Sequence, residues 1–352
     1  MAFFGVTIES IASVHPIPDA DRIVMAKLEG KDFQFVIMKD QFKAADRCVY
    51  FPIDSILPDE LIERLGLTGK LAGKKKNRVK TVKLRGQISQ GLVSRLDILS
   101  EDIRNRLDSV SVEEITESLG VTKWDPPETP CHDGVLRPLP DGQSEYDIEG
   151  ADRFMDVAEK LMDETVVVTE KLEGTNFSVK ANVDGSLFVS QKSKTIIPEG
   201  GMDTKNTYWR AAYKQRVTDF AQALAKKHGK DATVYGELIG PGIQCNIYNL
   251  KDYQVMLFDI RVAFNWLSPQ DMEDEIQAFY GNLDCKVPTL FKGKLRDWLD
   301  GKSIKEASNG PSILMPKRKR EGIVIRPLEE REILHFGRLI LKQRSPEYLV
   351  KG

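Results

Sequence analysis

Thr165-Val-Val-Val-Thr-Glu170-Lys171-Leu-Glu173-Gly174-Thr-Asn176 is the stretch on which the reading of the chain turns. Its first half is an apolar, β-branched run that favours a strand, and the lysine stands where that run ends. A lysine three residues before a glycine, at the mouth of a sheet, can serve as a nucleophile, yet the spacing alone says little. Six Lys-x-x-Gly tetrads occur, beginning at Lys27, Lys70, Lys83, Lys171, Lys226 and Lys319. Lys27-Leu-Glu-Gly30 even carries the same four letters as Lys171-Leu-Glu-Gly174. At 27–30 the glycine has a sufficient reason of its own, because Glu29-Gly30-Lys31-Asp32 reads as a hairpin turn between two strands.

What sets Lys171 apart is its downstream company. Val234-Tyr-Gly-Glu-Leu-Ile-Gly-Pro-Gly242 places Glu237 at a strand end beside a glycine-rich turn, and Phe258-Asp-Ile-Arg261 ends another strand. Glu321-Gly-Ile-Val-Ile-Arg326 puts an acid directly before an apolar strand. Leu339-Ile-Leu-Lys-Gln-Arg344 sets Lys342 and Arg344 on one strand face by the two-residue period. These five blocks, in this order, resemble motifs I, III, IIIa, IV and V of the covalent nucleotidyltransferases, the superfamily of ATP-dependent RNA and DNA ligases and mRNA capping enzymes. The resemblance spans about 171–344.

The resemblance implies residue roles. Lys171 is the nucleophile that takes AMP from ATP, and an amine attacks only when deprotonated, a state that nearby cations and desolvation favour. Lys342 supplies one such cation, and a bound Mg²⁺ or Mn²⁺ another. Glu321 and Glu173 offer the oxygen donors such an ion takes, directly or through its waters. Asn176 and Glu237 are expected near the ribose and Glu170 near the adenine amine. Phe258 is the candidate to stack on the base, with a plain core position as its alternative. Motif Ia departs from the family pattern: Ser190-Gln-Lys-Ser-Lys194 lies where an arginine is expected, and Lys192 or Lys194 takes its place. Arg344 joins the nucleotide-binding set through motif V.

Outside this region the chain reads differently. Short strand patterns at Phe3–Glu9, Ile23–Leu28, Phe33–Met38, Arg47–Phe51 and Val79–Leu84 fit a small closed barrel of the OB type, followed by a helical stretch over 101–120. His15-Pro-Ile-Pro-Asp-Ala-Asp-Arg22, Phe51-Pro-Ile-Asp-Ser-Ile-Leu-Pro58 and Leu84-Arg-Gly-Gln-Ile-Ser-Gln-Gly-Leu92 resemble the tRNA-binding OB module of synthetases and their accessory proteins. The 352 residues carry 51 Lys+Arg against 53 Asp+Glu, a net charge of −2 that hides an asymmetry. From Lys70 to Arg85 there are eight basic residues and no acid, leaving 43 basic against 53 acidic elsewhere. Such a patch on an acidic body favours an anionic partner. Lys74, Lys75, Lys76, Arg78 and Lys80 are its candidate RNA contacts, the alternative being a solvated loop.

The expected architecture is α+β: an OB-like domain over 1–120, a proline-rich linker over 121–149, and an adenylyltransferase domain of antiparallel sheets with flanking helices over 150–352. Helices are expected over 207–228, 268–280 and 293–307, with Ser268 as a cap and Pro269 in the first turn. Only eight residues follow Arg344, so an OB domain after motif V is not expected. An OB module ahead of the transferase is the arrangement of the stand-alone RNA ligases known from Deinococcus and Naegleria, and the chain resembles that family. The implied activity is ATP-dependent joining of RNA 3′-OH and 5′-phosphate ends through lysyl-AMP and RNA-adenylate. A DNA or nick-sealing ligase and a non-catalytic RNA-binding protein are the alternatives. Four scattered cysteines and four histidines suggest neither a disulfide framework nor a zinc site. The N-terminus has no basic leader and no apolar run approaches a membrane span. A soluble intracellular monomer is expected, with Lys317-Arg-Lys-Arg320 leaving nuclear or cytoplasmic residence open.

Overall fold

The computed structural model describes residues 3–125, 134–200 and 203–350. The fold is α+β, and the chain divides into two compact units. One is built on residues up to 125 with 152–156, the other on 134–151 with 157–348.

The N-terminal unit is a five-stranded antiparallel sheet that curls toward a barrel. Its order is Gln34–Met38, Ile23–Leu28, Thr7–Pro16, Arg47–Phe51, Leu92–Ser94. The long strand Thr7–Pro16 serves two neighbours, pairing Arg47–Phe51 through its first half and Ile23–Leu28 through its second, with a register shift between Ile11 and Ser13. Such an irregularity bends the sheet. Arg47–Phe51 has both faces buried. Cys48 and Tyr50 join Phe33 and Phe35 on one side, while Val49 and Phe51 meet Leu57, Leu61 and Ile115 on the other. Short helices at Asp59–Arg64, Glu101–Arg104 and Val112–Ser118 cover that second side. The Ser100 and Ser111 hydroxyls cap the last two by accepting from the Ile103 and Glu114 N–H groups.

The basic stretch is not uniformly presented. Lys74, Lys75 and Lys76 are exposed and Lys80 is half-buried. Arg78, expected to face RNA, turns inward instead. Its guanidinium pairs with Asp54 at 2.6 Å and lies over the Trp124 ring, 3.2 Å from the centroid. A planar cation that pairs and stacks at once is a structural joint. Arg78→Ala should therefore lower the unfolding free energy by about 1–3 kcal/mol, read from urea denaturation. An unchanged midpoint would show the joint to be idle. Val79–Leu84 also departs from expectation: only Val82–Leu84 is a strand, and it pairs with Gln87–Ser89 as a two-stranded ribbon whose second arm lies against the edge strand Gln34–Met38, where the Val36 N–H donates to Ser89 Oγ at 3.0 Å.

The C-terminal unit holds two sheets. The seven-stranded one is antiparallel throughout, in the order Gly134–Pro138, Lys194–Pro198, Leu187–Ser190, Thr175–Ala181, Ala232–Ile239, Gln254–Val262, Asn265–Trp266. Helices Thr207–Lys214 and Val217–His228 bury Trp209, Ala212, Phe220 and Leu224 in the cluster that also takes Phe177, Val234 and Ile260 from this sheet. The single helix expected over 207–228 is thus two, because Arg216 adopts a left-handed conformation (φ 56°). The second sheet runs Glu149–Gly150, Leu341–Arg344, Gly322–Pro327, Thr165–Lys171, Thr289–Lys294, antiparallel but for Glu149–Gly150 beside Leu341–Arg344. The helix expected over 293–307 is instead the end of this last strand and two short helices, Leu295–Leu299 and Ile304–Ala307. They are parted by left-handed Asp300 and Gly301. Pro269–Tyr280 follows its Ser268 cap as expected.

The proline-rich segment read as a linker over 121–149 is partly built into these sheets. Gly134–Pro138 forms an edge strand, where the missing proline N–H costs no ladder bond. Glu149 and Gly150 pair with Leu341 and Lys342. Pro126, Pro127 and Pro130 lie outside the described residues. Among the described residues no helix is long and apolar enough to cross a membrane.

Candidate active site

Two identical tetrads have glycines for opposite reasons. Gly30 has a positive φ of 63° with nothing within 4 Å of a would-be Cβ, so it is there for a turn. Gly174 has no such backbone demand. A Cβ on it would lie 2.6 Å from the Leu238 carbonyl oxygen and 2.7 Å from Glu237 Cγ. The glycine after Lys171 lets two strands close on each other beside Glu237. Gly174→Ala should then cut activity at Lys171 by at least tenfold and cost about 1–3 kcal/mol of stability, whereas Gly30→Ala should cost about 1–2 kcal/mol from backbone strain alone. Equal activity in the two variants would refute this distinction.

Lys171 ends the strand Thr165–Lys171, opposite Gly322, and this register brings the preceding Glu321 to it. Glu321 Oε2 lies 2.7 Å from Lys171 Nζ. Beside them is a cavity of about 210 Å³ walled by both sheets. Lys171, Glu170, Val324 and Lys342 come from one sheet; Asn176, Glu237 and Phe258 come from the other. Asn176 and Glu237 are direct cross-strand partners. Burial pushes the Glu237 carboxyl up to about 8, against the pull of Lys171 and with a further push from Glu321.

Glu170 is 1% exposed. Its Oε2 accepts the Ile313 N–H at 2.7 Å, while its buried Oε1 has no hydrogen-bond partner among the described residues. Burial raises this carboxyl against the hydrogen bonds from Ser312 and Ile313. A buried acceptor left unmatched in a cavity wall is costly until a donor arrives. Phe258 also lines the cavity, half-buried, its ring 4.9 Å from that of Tyr146.

Lys342 and Lys192 line the same cavity and share one carboxylate, that of Asp147, at 3.2 and 3.4 Å. Burial pulls the Lys342 ammonium below its ordinary value, with Asp147 opposing and Lys171 and Arg344 adding to the fall. Tyr146, Asp147 and Ile148 all wall the cavity. They sit in the segment read as a linker, so sequence reasoning missed them. The one local signal was an acid between two apolar residues. Lys286, paired with Glu273 at 2.8 Å, is a further wall residue that no motif marked. Arg344, Lys194, Glu173 and Glu321 are not part of the wall.

The carboxylates can be tested for a metal ion. Among the described residues no group of three or more His, Cys, Asp or Glu side chains is placed to hold one. Glu173 hydrogen-bonds the Tyr348 hydroxyl, which burial and then the charges of Glu321 and Glu173 push well up. The Glu173 Oε1 accepts the Cys245 N–H at 3.1 Å. One or two carboxylates with the remaining positions left to water and phosphate suit a hard ion such as Mg²⁺ or Mn²⁺, and do not suit zinc.

Comparison with known proteins bears on the fold and the family. The RNA ligase family model matches residues 164–344, and an OB-fold domain model matches residues 5–96. No curated protein matches the chain. The solved structure of Naegleria gruberi RNA ligase with PPi is 28% identical, with a TM-score of 0.82, over 99% of this chain and 98% of that one. A lysine-to-methionine mutant of the Naegleria gruberi RNA ligase, with AMP and Mn, is 27% identical at a TM-score of 0.82, with the same coverage. A lysine-to-alanine mutant with ATP and Mn is 26% identical at 0.80, again over 99% and 98%. With the family match running over more than half of its 352 residues, the chain belongs to the RNA ligase family.

Proposed function

We propose that the protein is an ATP-dependent RNA ligase that seals 3′-OH and 5′-phosphate ends. The observation that carries this reading is Lys171, held 2.7 Å from Glu321 at a cavity that also presents Lys342, Lys192, Asn176 and Glu237. Structures similar to this chain hold ATP, AMP and Mn, and the donors here fit the same ligands. We read the buried Glu170 Oε1 as the acceptor for the adenine amine, Phe258 as the ring face for the base, and the cavity-lining Asn176 and Glu237 as the residues for the ribose.

The chemistry then runs in three phosphoryl transfers, in which positioning and charge stabilisation do most of the work. Lys171 Nζ forms a bond to the α-phosphorus of ATP while the bond to the β-bridging oxygen breaks, and pyrophosphate leaves. Glu321 orients the Lys171 amine at 2.7 Å, and the proton that the nitrogen gives up passes to water. Lys342 and Lys192 balance the charge on the phosphates. Glu321 and Glu173 would hold a divalent ion, which when bound neutralises charge on the α-phosphate. AMP then passes from Lys171 to the RNA 5′-phosphate, and the 3′-OH attacks that phosphate and releases AMP.

Incubation with α-labelled ATP, a divalent ion and matched RNA and DNA nicks tests this reading. A protein–AMP adduct and sealed RNA are expected. Preference for the DNA nick would favour the DNA-ligase alternative, and no adduct at any metal concentration would leave a non-catalytic RNA-binding protein. Glu321→Ala should lose adduct formation by at least a hundredfold while keeping its unfolding midpoint, since an acid at a strand mouth adds little to the core. The exposed Lys74, Lys75 and Lys76 are read as grips on RNA phosphates, with Lys80 beside them. Replacing the three together by Ala should lower the slope of log affinity against log salt by about 2, at ~0.7 per single-strand phosphate contact. An unchanged slope in the folded protein would remove this loop from the RNA site.

A further inference from the structure

We propose that Asp147 is a positioning residue for lysine adenylylation, one carboxylate that aims the Lys342 and Lys192 ammonium groups into the nucleotide cavity. The inference rests on the reading of that cavity as the ATP site.

Each of its oxygens takes a different lysine: Oδ1 lies 3.2 Å from Lys342 Nζ and Oδ2 lies 3.4 Å from Lys192 Nζ. The two lysines belong to different sheets. Lys342 is on Leu341–Arg344, and Lys192 lies in the turn between Leu187–Ser190 and Lys194–Pro198. Two ammonium groups facing one small cavity repel each other, and a lysine stem has four rotatable bonds through which to escape. A carboxylate between them converts the repulsion into two ion pairs. The Asp147 side chain is 11% exposed while that of Lys192 is 45% exposed, so the carboxylate is the buried anchor of that pair.

Asp147 is itself held from both sides along the chain. Behind it, Tyr146 donates its hydroxyl to Asp259 Oδ2 at 2.8 Å and packs its ring against Tyr235, Phe258 and Trp266. Ahead of it, Glu149 and Gly150 run parallel to Leu341 and Lys342, and the Ala151 N–H donates to the Lys342 carbonyl at 2.9 Å. The backbone that carries the acid is thereby zipped to the backbone that carries the lysine it aims. The Ile148 N–H also donates to Asp147 Oδ1 at 3.0 Å, which fixes the rotamer. That much anchoring is more than a surface ion pair requires, and phosphoryl transfer is sensitive to ångström-scale misplacement of the groups that hold the phosphates.

The test is single-turnover adenylylation of the full chain with α-labelled ATP, with rate constant and amplitude read separately. Asp147→Ala should lower the rate constant about tenfold to a hundredfold while the amplitude stays near that of the unmodified chain, and Asp147→Glu should recover most of the rate. In the nearly isosteric Asp147→Asn, the alkaline limb of the pH–rate profile should move to lower pH. Lys342 would then face Lys171, Arg344 and Lys192 without its counter-charge and give up its proton sooner. An unchanged rate constant in the Ala variant overturns the proposal. So does a loss confined to amplitude that Glu fails to rescue, which would mark a merely structural residue. If the unmodified chain forms no adduct, the reading of the cavity as an ATP site fails instead, and the two failures are told apart.

Discussion

Lys171→Ala should form no AMP adduct, while Lys27→Ala should form as much as the unmodified chain. Both lysines open the tetrad Lys-Leu-Glu-Gly, so only the surroundings separate them. Lys27 lies on Ile23–Leu28 in the N-terminal sheet, opposite Ser13, and its tetrad ends in a turn glycine. Lys171 meets Glu321 at 2.7 Å beside a cavity, and its tetrad ends in a glycine that makes room beside Glu237. Loss of a covalent nucleophile leaves no alternative route to the adduct, so the fall should exceed about a thousandfold. Labelled AMP retained on denatured protein reads it directly. Adduct on the Lys171→Ala chain, or its absence from folded Lys27→Ala, would move the nucleophile elsewhere.

The largest expected effect on stability is at Asp259. Its side chain is fully buried and meets Arg326 at 3.2 Å, Arg338, and the Tyr146 hydroxyl at 2.8 Å. Glu330 braces the same two guanidinium groups, and Arg338 also lies over Trp266, 4.1 Å from the centroid. Asp259→Ala strands cations that are only 7% and 11% exposed, which costs about 3–5 kcal/mol when one member of a buried pair is removed. Urea denaturation should show it, and a loss below about 1 kcal/mol would mean that Glu330 alone satisfies both arginines. The acid branch follows from the same contacts. Burial opposes the charge on Asp259, but Arg326 and Arg338 outweigh it and hold the carboxyl below its usual range. With the folded value below the unfolded one, the contribution of Asp259 is present above the ordinary aspartate range. It is lost as pH falls through that range toward the lower folded value.

How much of this was legible depends on whether a residue's role is local or tertiary. Lys171 and Glu321 sit at strand ends whose apolar runs announce them, Glu237 lies within the strand Ala232–Ile239 rather than at its end, and the order of the five blocks carried the family. Asp147 could not be found that way. Its neighbours form a two-residue parallel pairing, too short for any period, in a segment where prolines argue for irregular backbone. Arg78 shows the opposite failure: it stands in a run of exposed lysines, and only the fold brings Asp54 and Trp124 to it. The break at Arg216 was hidden because a residue other than glycine takes the left-handed turn. Gly30 was legible as a turn residue, and its φ of 63° is that of a turn, whereas Gly174 answers to a neighbouring strand that its own letters do not show.

The central claim, that a covalent Lys171–AMP is the intermediate of RNA joining, is tested most directly by a pulse–chase. The full chain is loaded with α-labelled ATP and a divalent ion, freed of ATP, and chased with RNA bearing a 3′-OH and a 5′-phosphate. The account predicts label on the peptide containing Lys171 before the chase, then its transfer to the RNA 5′-phosphate and release as AMP as the ends are sealed. Label that stays on the protein while RNA is joined, or that maps to a peptide without Lys171, would contradict it.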